Sequence, residues 1–377
     1  MSNKMESVPL ATRVRRQIEG MIEAENLAGK RLIAYRRLAE RLGVCQRTVQ
    51  LVLAKMEAEG LIERRHGSGT YVLDAEQRRA HTAARSLLVV VRRRPDPSAG
   101  WDPVTAMLAG VRSQSEKAGV RFEMLAWEES EDSRRLLDGR ETRAYAGFVL
   151  LRVADPRLVS RLMRRSAGPV VVVDEHPHGL PVISVTDDSL RGAEAVTRYL
   201  LRLGHRRIAY LDVADRQNWN PTKHHGYRMA LEEAGLPVDE SLIVAPPLGV
   251  PALSPQASNL VDGAVGELLA LPTPPTAIFA YDDRRAVMVM DSLRRRGLVP
   301  GRDVCVAGFG DTAFRTGSCH GLTSCRIDFV RLGREAVRAI VRPANPQEGR
   351  FIVVPDRLMI RESTGAAPDK VRSCVTR

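Results

Sequence analysis

The chain has 377 residues, which is too long for one compact unit and suits two or three domains with substantial cores. It contains no run of about 18 apolar residues, and the segment Met1–Glu6 lacks the apolar core of a signal peptide, so we expect a cytoplasmic protein without membrane spans. Five cysteines, an odd number with no C-x-x-C pair, argue against a disulfide framework and against a zinc site.

Positive charge is concentrated at the start of the chain. The whole sequence has 57 Lys+Arg and 45 Asp+Glu, which gives a net charge of +12, and residues 1–85 hold 16 basic and 10 acidic residues of these. Half of the net charge therefore lies in less than a quarter of the sequence. A concentration of positive charge attracts the phosphates of nucleic acid, so the N-terminal region is the candidate for contact with nucleic acid.

Two short amphipathic segments follow one another between residues 36 and 56. Their apolar residues recur at spacings of three and four, which predicts two helices, with Leu38 and Leu42 on the inner face of the first and Val49, Val52, Leu53 and Met56 on that of the second. Gly43 lies between them, where positive φ permits a sharp turn. Gly60 is expected to end the second helix. The pattern predicts a helix-turn-helix unit.

The second helix is the candidate for contact with DNA bases, because polar side chains remain on the outer side of its first turns. Residues 61–65 and 70–72 then predict two strands joined by the turn His66–Gly69, which contains two glycines. Basic residues at the tip of this wing suit phosphates or a minor groove. The predicted DNA-binding residues are Arg36, Gln46, Arg47, Thr48, Gln50, Arg64, Arg65, His66 and Gly67.

Residues 8–73 resemble the GntR-type winged-helix domain. The matching pieces are Arg36-x-Leu38-Ala39, Leu42-Gly43-Val44, Thr48-Val49, Glu59-Gly60-Leu61-Ile62 and Gly67-Ser68-Gly69-Thr70-Tyr71-Val72. Cys45-Gln46 stands where the family usually has Ser-Arg, which removes a favoured N-cap at a cost of about 1 kcal/mol. Gln46 also replaces a cation with an amide that prefers adenine edges. The resemblance implies a DNA-binding domain over residues 1–73 and an operator unlike the commonest one of the family.

Residues 74–85 are polar and charged and are predicted to form a linker. Beyond them, continuous apolar strands alternate with helical stretches, which is the pattern of parallel sheets covered on both faces. The fold class is therefore α/β, with an N-terminal winged helix-turn-helix. Strands are predicted over 87–91, 148–151, 170–173, 208–211, 277–280 and 304–307, and helices over 104–118, 190–203, 226–234 and 286–296.

The order of short motifs after the linker resembles the sugar-sensing domain of LacI-type repressors, which is itself similar to periplasmic sugar-binding proteins. The motifs are Asp187-Asp188-x3-Gly192-Ala193, Leu203-Gly204-His205-Arg206-Arg207-Ile208-Ala209, Gly226-Tyr227-x2-Ala230-Leu231, Pro275-Thr276-Ala277-Ile278, Asp282-Asp283-x2-Ala286, Val306-Ala307-Gly308-Phe309-Gly310-Asp311-Thr312, Leu322-Thr323-Ser324, Asp328-Phe329-x2-Leu332-Gly333 and Arg361-Glu362-Ser363-Thr364. The resemblance implies a two-lobe, periplasmic-binding-protein-like domain over 86–365 with a ligand cleft at the hinge, followed by a tail over 366–377. Lobe one is placed at about 86–184 and 313–342, and lobe two at about 185–312 and 343–365.

The resemblance also implies where a small molecule binds. Lys223 stands where the family usually has an arginine, and Asp282 precedes the aspartate Asp283 where Asn or Ser is common. Gly310 replaces the first of two aspartates and leaves only Asp311, which argues against a standard hexose as the ligand. Two tryptophans are suited either to stack on a sugar ring or to pack in a core. The predicted ligand-binding residues are Trp101, Glu175, Trp219, Lys223, Asp282, Asp283 and Asp311.

These patterns predict a ligand-responsive transcriptional regulator, a repressor of carbohydrate-related genes. We expect a homodimer that binds a pseudo-palindromic operator of double-stranded DNA and a sugar or sugar derivative, with no cofactor and no metal. The alternative is a carbohydrate-active enzyme carrying a DNA-binding head, in which two of Glu175, Asp282 and Asp311 would act as the carboxylate pair. No Gly-x-Ser-x-Gly elbow, Walker loop or dinucleotide fingerprint occurs, so an enzyme is not expected.

Overall fold

The structure is a computed structural model, and it describes residues 10–65, 68–75, 77, 86–92, 102–127, 145–166, 168–175, 177, 179–213, 221–246, 255–312, 320–342 and 349–368. These residues form two compact units. The first unit comprises the described residues up to Val90 together with Ser115–Leu150 and Asp155–Val170, and the second comprises Val91–Gln114, Leu151–Ala154 and the described residues from Val171 onwards.

The first unit begins with three helices and a small sheet. The helices are α1 (Leu10–Ala24), α2 (Tyr35–Leu42) and α3 (Gln46–Ala58), and the strands β1 (Arg31–Leu32), β2 (Ile62–Arg65) and β3 (Gly69–Val72) pair in the antiparallel order β1-β3-β2. One apolar core joins these elements. It contains Val14, Ile18, Ile22, Leu32, Leu38, Ala39, Val49, Val52, Leu53, Met56, Ile62 and Val72.

The two predicted glycine turns of this head are confirmed. Gly43 follows α2 with φ 64°, and the N–H of Val44 donates to the carbonyl of Ala39 at 3.1 Å. Gly60 follows the end of α3 with φ 72°, and the N–H of Leu61 donates to a carbonyl of the helix. Left-handed backbone at both positions satisfies helix-end carbonyls and reverses the chain, which glycine permits without a steric cost.

The rest of the first unit contains three strands in the order β6-β4-β5. They are β4 (Ser86–Arg92), of which the residues up to Val90 belong to this unit, β5 (Arg121–Trp127) and β6 (Gly147–Leu151). It also contains the end of α4 (Pro103–Ala118) and the helix α5 (Pro156–Arg165). Asp155 caps α5 by accepting the N–H of Arg157 at 2.9 Å, and a proline occupies the first helical turn. The hydrophobic runs predicted as strands at 87–91 and 148–151 are thus confirmed.

The second unit contains a six-stranded sheet in the order β10-β9-β11-β12-β13-β15. Its strands are parallel except for the last, which runs antiparallel to β13. The predicted strands at 208–211 and 277–280 are confirmed to the residue. The strands are β9 (Ile208–Leu211), β10 (Ile243–Val244), β11 (Ala277–Ala280), β12 (Cys305–Gly310), β13 (Thr323–Arg326) and β15 (Arg357–Met359).

A second set of parallel strands in this unit has the order β14-β8-β7. Helices lie between these strands along the chain, and a 3-10 turn (Glu240–Leu242) precedes β10. The strands are β7 (Val170–Val173), β8 (Ile183–Asp187) and β14 (Arg350–Val354), and the helices are α6 (Ser189–Arg202), α7 (Pro221–Glu233), α8 (Pro255–Leu269), α9 (Asp283–Arg295) and α10 (Phe329–Val341).

The strand pairings correct the predicted lobe boundaries in two places. β13 was expected in lobe one but pairs with β12, so it belongs with the strands of lobe two. β14 was expected in lobe two but pairs with β8 along its whole length, and β8 pairs in turn with β7 of lobe one. The chain therefore crosses between the two strand sets after β13 and again after β14, later than predicted in both places, with α10 packed against β8 and β14. The other predicted domain limits remain predictions.

The helices α6 and α7 pack side by side against one face of the six-stranded sheet. Their approach is close because Gly226 has no side chain: a Cβ at this position would lie 2.2 Å from the carbonyl oxygen of Leu190. The same face of the sheet buries Tyr210, Phe279 and Phe309. This packing fixes the first turn of α7 over the carboxyl ends of the strands, which is where ligands bind in parallel sheets.

Candidate functional site

The first turns of α3 present a row of exposed polar side chains. Gln46, Arg47 and Gln50 are exposed and Thr48 is half-buried, while Val49 is fully buried in the core of the head. Burial of Val49 fixes the rotation of the helix, so the polar side chains point away from the head. The predicted exposure is confirmed for Gln46, Arg47 and Gln50, while Thr48 is only partly exposed, and the arrangement suits a helix that enters a major groove.

The start of α3 lacks a side-chain cap, as the sequence predicted. Cys45 occupies the N-cap position with extended backbone, and its side chain accepts no hydrogen bond from the helix N–H groups at cap geometry. Its Sγ lies 3.1 Å from Oγ1 of Thr48, and this hydrogen bond is the largest cause that lowers the pKa of the exposed thiol. The recognition helix therefore begins on a weak cap.

The wing arginines are exposed and partly held by neighbouring residues. Nε of Arg64 lies 3.4 Å from a carboxylate oxygen of Glu57, and its guanidinium donates to the carbonyl of Gln50 at 3.4 Å. The guanidinium of Arg65 lies 4.5 Å from the ring centre of Tyr71. These contacts tie β2 to α3 and leave positive charge at the surface beside the recognition helix.

Arg36, on α2, is also exposed, and its guanidinium lies 5.9 Å from the ring centre of Tyr35. His66 and Gly67, at the predicted tip of the wing, lie outside the described residues. Trp101 and Trp219, the two candidates for stacking on a sugar, lie outside them as well.

In the second unit, Lys223 is buried between two aromatic rings at the start of α7. Its Nζ lies 4.2 Å from the ring centre of Tyr281 and 4.3 Å from that of Phe309, and it donates to the carbonyl of Tyr281 at 3.4 Å. Only 8% of the residue is exposed. Cation–π attraction compensates in part for removing the ammonium from water.

The predicted pair Asp282–Asp283 lies at the start of α9, directly after β11. Asp282 is the N-cap: one oxygen accepts the N–H of Arg285 at 2.9 Å and the other accepts from its guanidinium at 2.5 Å. Burial disfavours the charged form of Asp282, but the charges of Arg285, Arg284 and Lys223 and the backbone N–H of Arg285 together outweigh it, so the pKa lies below its usual value. Asp283 is buried and accepts from the hydroxyl of Ser324 at 2.6 Å and from the backbone N–H of Thr312.

Asp311, at the end of β12, is fully buried and held by two arginines. Nε of Arg326 lies 2.6 Å from one carboxylate oxygen, and Nη2 of Arg361 lies 2.7 Å from the other. Its backbone is left-handed, with φ 57°. Both oxygens are therefore engaged within the protein, and no sequence pattern indicated these two partners.

Further acidic residues gather at the ends of β7, β8 and β14. Glu175, predicted from sequence, is half-buried and follows Asp174, whose carboxylate lies 3.2 Å from the guanidinium of Arg152. Burial raises the pKa of Asp174 to about 6, against the opposing charge of Arg152. Burial, and next the charge of Asp187, raise the pKa of Asp356 to about 9. Sequence reasoning missed Asp356, although it follows an apolar strand as Glu175 does.

The described residues contain no group of three or more His, Cys, Asp or Glu side chains placed to hold a metal ion. They also include no helix with the length and apolar character needed to cross a bilayer.

The comparison with known protein families matches both parts of the chain. Residues 10–72 match the bacterial regulatory proteins of the gntR family, and residues 197–364 match the periplasmic binding protein-like domain. The chain joins a gntR-type DNA-binding domain to a periplasmic-binding-protein-like domain. The region that matches the gntR family contains the exposed row on α3, and the region that matches the periplasmic binding protein-like domain contains Lys223, Asp282, Asp283, Asp311 and Asp356.

Curated relatives of this two-domain chain are transcriptional regulators. The HTH-type transcriptional regulator DegA of Bacillus subtilis is 29% identical over 198 residues, which cover 52% of this chain and 56% of DegA. The HTH-type transcriptional repressor CytR of Escherichia coli is 27% identical over 245 residues, which cover 64% of this chain and 69% of CytR. The chain thus spans between half and about two thirds of the length of these relatives.

Solved structures support the fold of the two-domain chain. A regulatory protein of the LacI family from Chloroflexus aggregans superposes with a TM-score of 0.63 at 23% identity, over 75% of this chain and 99% of that one. The transcriptional regulator CelR in complex with cellobiose superposes with a TM-score of 0.59 at 23% identity, over 84% of this chain and 90% of that one.

Proposed function

We propose that the chain is a ligand-responsive transcriptional regulator that represses carbohydrate-related genes. The observation that carries the proposal is the exposed row Gln46, Arg47 and Gln50 on the recognition helix of a gntR-type domain, joined to a periplasmic-binding-protein-like domain. DegA and CytR are named as a regulator and a repressor of transcription, and CelR was solved with a disaccharide. Binding to chromosomal DNA implies action in the cytoplasm.

In this proposal the head divides its contacts between bases and phosphates. Gln46, Arg47, Thr48 and Gln50 meet base edges, since amides and guanidinium groups pair with adenine and guanine edges in the major groove. Arg36, Arg64 and Arg65, with the wing tip His66–Gly67, meet the backbone and set the register without specifying sequence.

The regulatory step couples a small molecule to the spacing of two heads. A homodimer would bind a pseudo-palindromic operator, because two-fold symmetry of the protein matches two half-sites. The effector would bind near Lys223, Asp282 and Asp283, with Trp101, Glu175, Trp219 and Asp311 as further candidates. It changes DNA affinity only by as much as it prefers one arrangement of the lobes.

A binding role is favoured over the enzyme alternative by the state of the carboxylates. Asp282 is in an ion pair with Arg285, and both oxygens of Asp311 are bonded to arginines. Carboxylates engaged in this way are poorly placed to transfer protons or attack a sugar. Hydrolysis of any bound carbohydrate by the purified protein would support the enzyme instead.

The test is selection of a preferred site from random duplex DNA, followed by affinity measurements at one fixed salt concentration. Arg47→Ala and Gln50→Ala should each lower affinity about tenfold and relax the base preference at one position, while Arg65→Ala should weaken all sequences alike. Arg202→Ala, an exposed arginine on α6, is the matched control and should bind as the wild type does. Unchanged affinity and preference in both α3 variants would remove the proposal.

A further inference from the structure

A fully buried phenol lies at the carboxyl end of β9. Tyr210 has 0% exposure, and its hydroxyl has no hydrogen-bond partner among the described residues. Its ring stacks on Tyr227 with centroids 5.1 Å apart and meets the edge of Phe279 at 5.3 Å. Burial raises the pKa of Tyr210 well above its usual value, so the phenol is neutral and can donate. Buried hydroxyls are normally bonded, so an unbonded one calls for an explanation.

A second polar atom without a partner belongs to the neighbouring ring. The imidazole of His224 lies 5.4 Å from the ring centre of Tyr210. Its Nδ1 is 3.1 Å from a carboxylate oxygen of Asp212, which is buried and also accepts the N–H of Val213 at 2.8 Å. A carboxylate oxygen accepts from Nδ1–H, so in the neutral imidazole the lone pair lies on Nε2. Nε2 is buried and, within the described part of the chain, unbonded.

We infer that Tyr210 and His224, with Asp212 orienting the imidazole, form a subsite for one hydroxyl group of a neutral carbohydrate effector. The phenol donates to the hydroxyl oxygen, and Nε2 accepts the hydroxyl proton. A hydroxyl is both donor and acceptor, so it satisfies both buried atoms at once. This inference rests on the proposed function, which supplies the sugar effector, and adds the residues that select it.

The position of the subsite explains how hydroxyl recognition persists without a carboxylate at Gly310. In the order β9-β11-β12, Tyr210 and Gly310 lie two strands apart in the same sheet, and Lys223 precedes His224 on α7. Asp311, the remaining aspartate of that motif, has both oxygens bonded to arginines. The acceptor that the end of β12 lacks is supplied by the imidazole of His224 on α7, next to Tyr210 of β9.

The experiment measures thermal shifts and dissociation constants of the full chain against a panel of probes. The panel contains neutral monosaccharides, cellobiose, sucrose, amino sugars and ribonucleosides. Tyr210→Phe and His224→Ala should each weaken binding of the stabilising carbohydrate about tenfold, because its hydroxyl loses one partner. Tyr210→Phe should also keep or raise the melting temperature of the ligand-free protein, since it removes only an unbonded hydroxyl.

Two matched controls separate binding from folding. Tyr227→Phe removes a phenol of the same stack that donates to the carbonyl of Ile208 at 2.8 Å, so it should lower the melting temperature and leave carbohydrate affinity unchanged. His225→Ala changes an exposed histidine next to His224 and should alter neither quantity.

Each other outcome of the binding experiment contradicts one part of the inference. If a carbohydrate binds the wild type, Tyr210→Phe and His224→Ala with equal affinity, the subsite is wrong and sugar sensing stands. If only amino sugars or ribonucleosides bind, or if no probe binds, the neutral carbohydrate class is wrong. Failure of the proposed function is recognised separately, because the wild type would then select no DNA sequence in the operator experiment.

Discussion

Replacing Asp356 by asparagine should change how stability depends on pH. Burial, and next the charge of Asp187, raise the pKa of Asp356 to about 9, whereas an aspartate in an unfolded chain titrates near 3.9. Between pH 5 and pH 7 the folded protein therefore keeps this proton and the unfolded chain does not. A folded-state pKa above the unfolded value gives stability that is complete below about pH 3.9 and is lost as pH rises towards 9.

The size of the effect follows from proton linkage. One proton held only by the folded state lowers the free energy of unfolding by about 1.4 kcal/mol for each unit of rising pH. From pH 5 to pH 7 the wild type should therefore lose about 2.7 kcal/mol relative to Asp356→Asn, which has no proton to release.

Urea unfolding of both proteins at pH 5, 6 and 7 measures the difference. Asp262→Asn is the control, because hydrogen bonds from Arg296 hold the pKa of Asp262 below its usual range. The stability that Asp262 contributes is present above about pH 3.9 and is lost only as pH falls below it, so this variant should show a constant offset from pH 5 to pH 7. A constant offset for Asp356→Asn as well would refute the reasoning.

Three further changes test other contacts by thermal or urea unfolding. Arg361→Leu should destabilise by about 3 kcal/mol, because it leaves buried Asp311 with one of its two arginines; a neutral result would mean the pair is not desolvated. Gly226→Ala should cost about 3 kcal/mol through collision with the carbonyl of Leu190, and an unchanged melting temperature would contradict the close helix packing. Cys45→Ser should stabilise the head by about 0.5–1 kcal/mol by restoring an N-cap, which a lower melting temperature would contradict.

The local sequence pattern predicted several strands and helix ends correctly. The strands at 170–173, 208–211 and 277–280 were found to the residue, because continuous apolar runs occur where a strand is covered on both faces. The turn at Gly43 and the end of α3 before Gly60 followed from the need for left-handed backbone. These features depend on residues close together in sequence.

The predicted lobe assignment was wrong for β13 and β14, because a local sequence pattern does not indicate which sheet a strand joins. β13 (Thr323–Arg326) and β14 (Arg350–Val354) are both short strands near the end of the chain, and nothing in either sequence says which sheet it joins. Their partners are fixed by the crossings before and after α10, which place β13 beside β12 and β14 beside β8. Strand order is a property of these long-range connections, so a family resemblance located the motifs but not the crossings.

The site shows the same limit at the level of single side chains. The sequence placed Asp311 after a strand and made it a ligand candidate, but Arg326 and Arg361, 15 and 50 residues further on, reach its two oxygens. Conversely, Tyr210 looked like a core residue of an apolar strand, and its buried hydroxyl has no hydrogen-bond partner within the part of the chain that the structure describes. The carboxylate of Asp311 already accepts from two arginines and has little capacity left to bind a ligand. The phenol of Tyr210, unbonded within the described residues, recovers the hydrogen bond that it lost on burial only when it binds a ligand. Specificity in this domain should therefore follow the unsatisfied atoms rather than the charged ones.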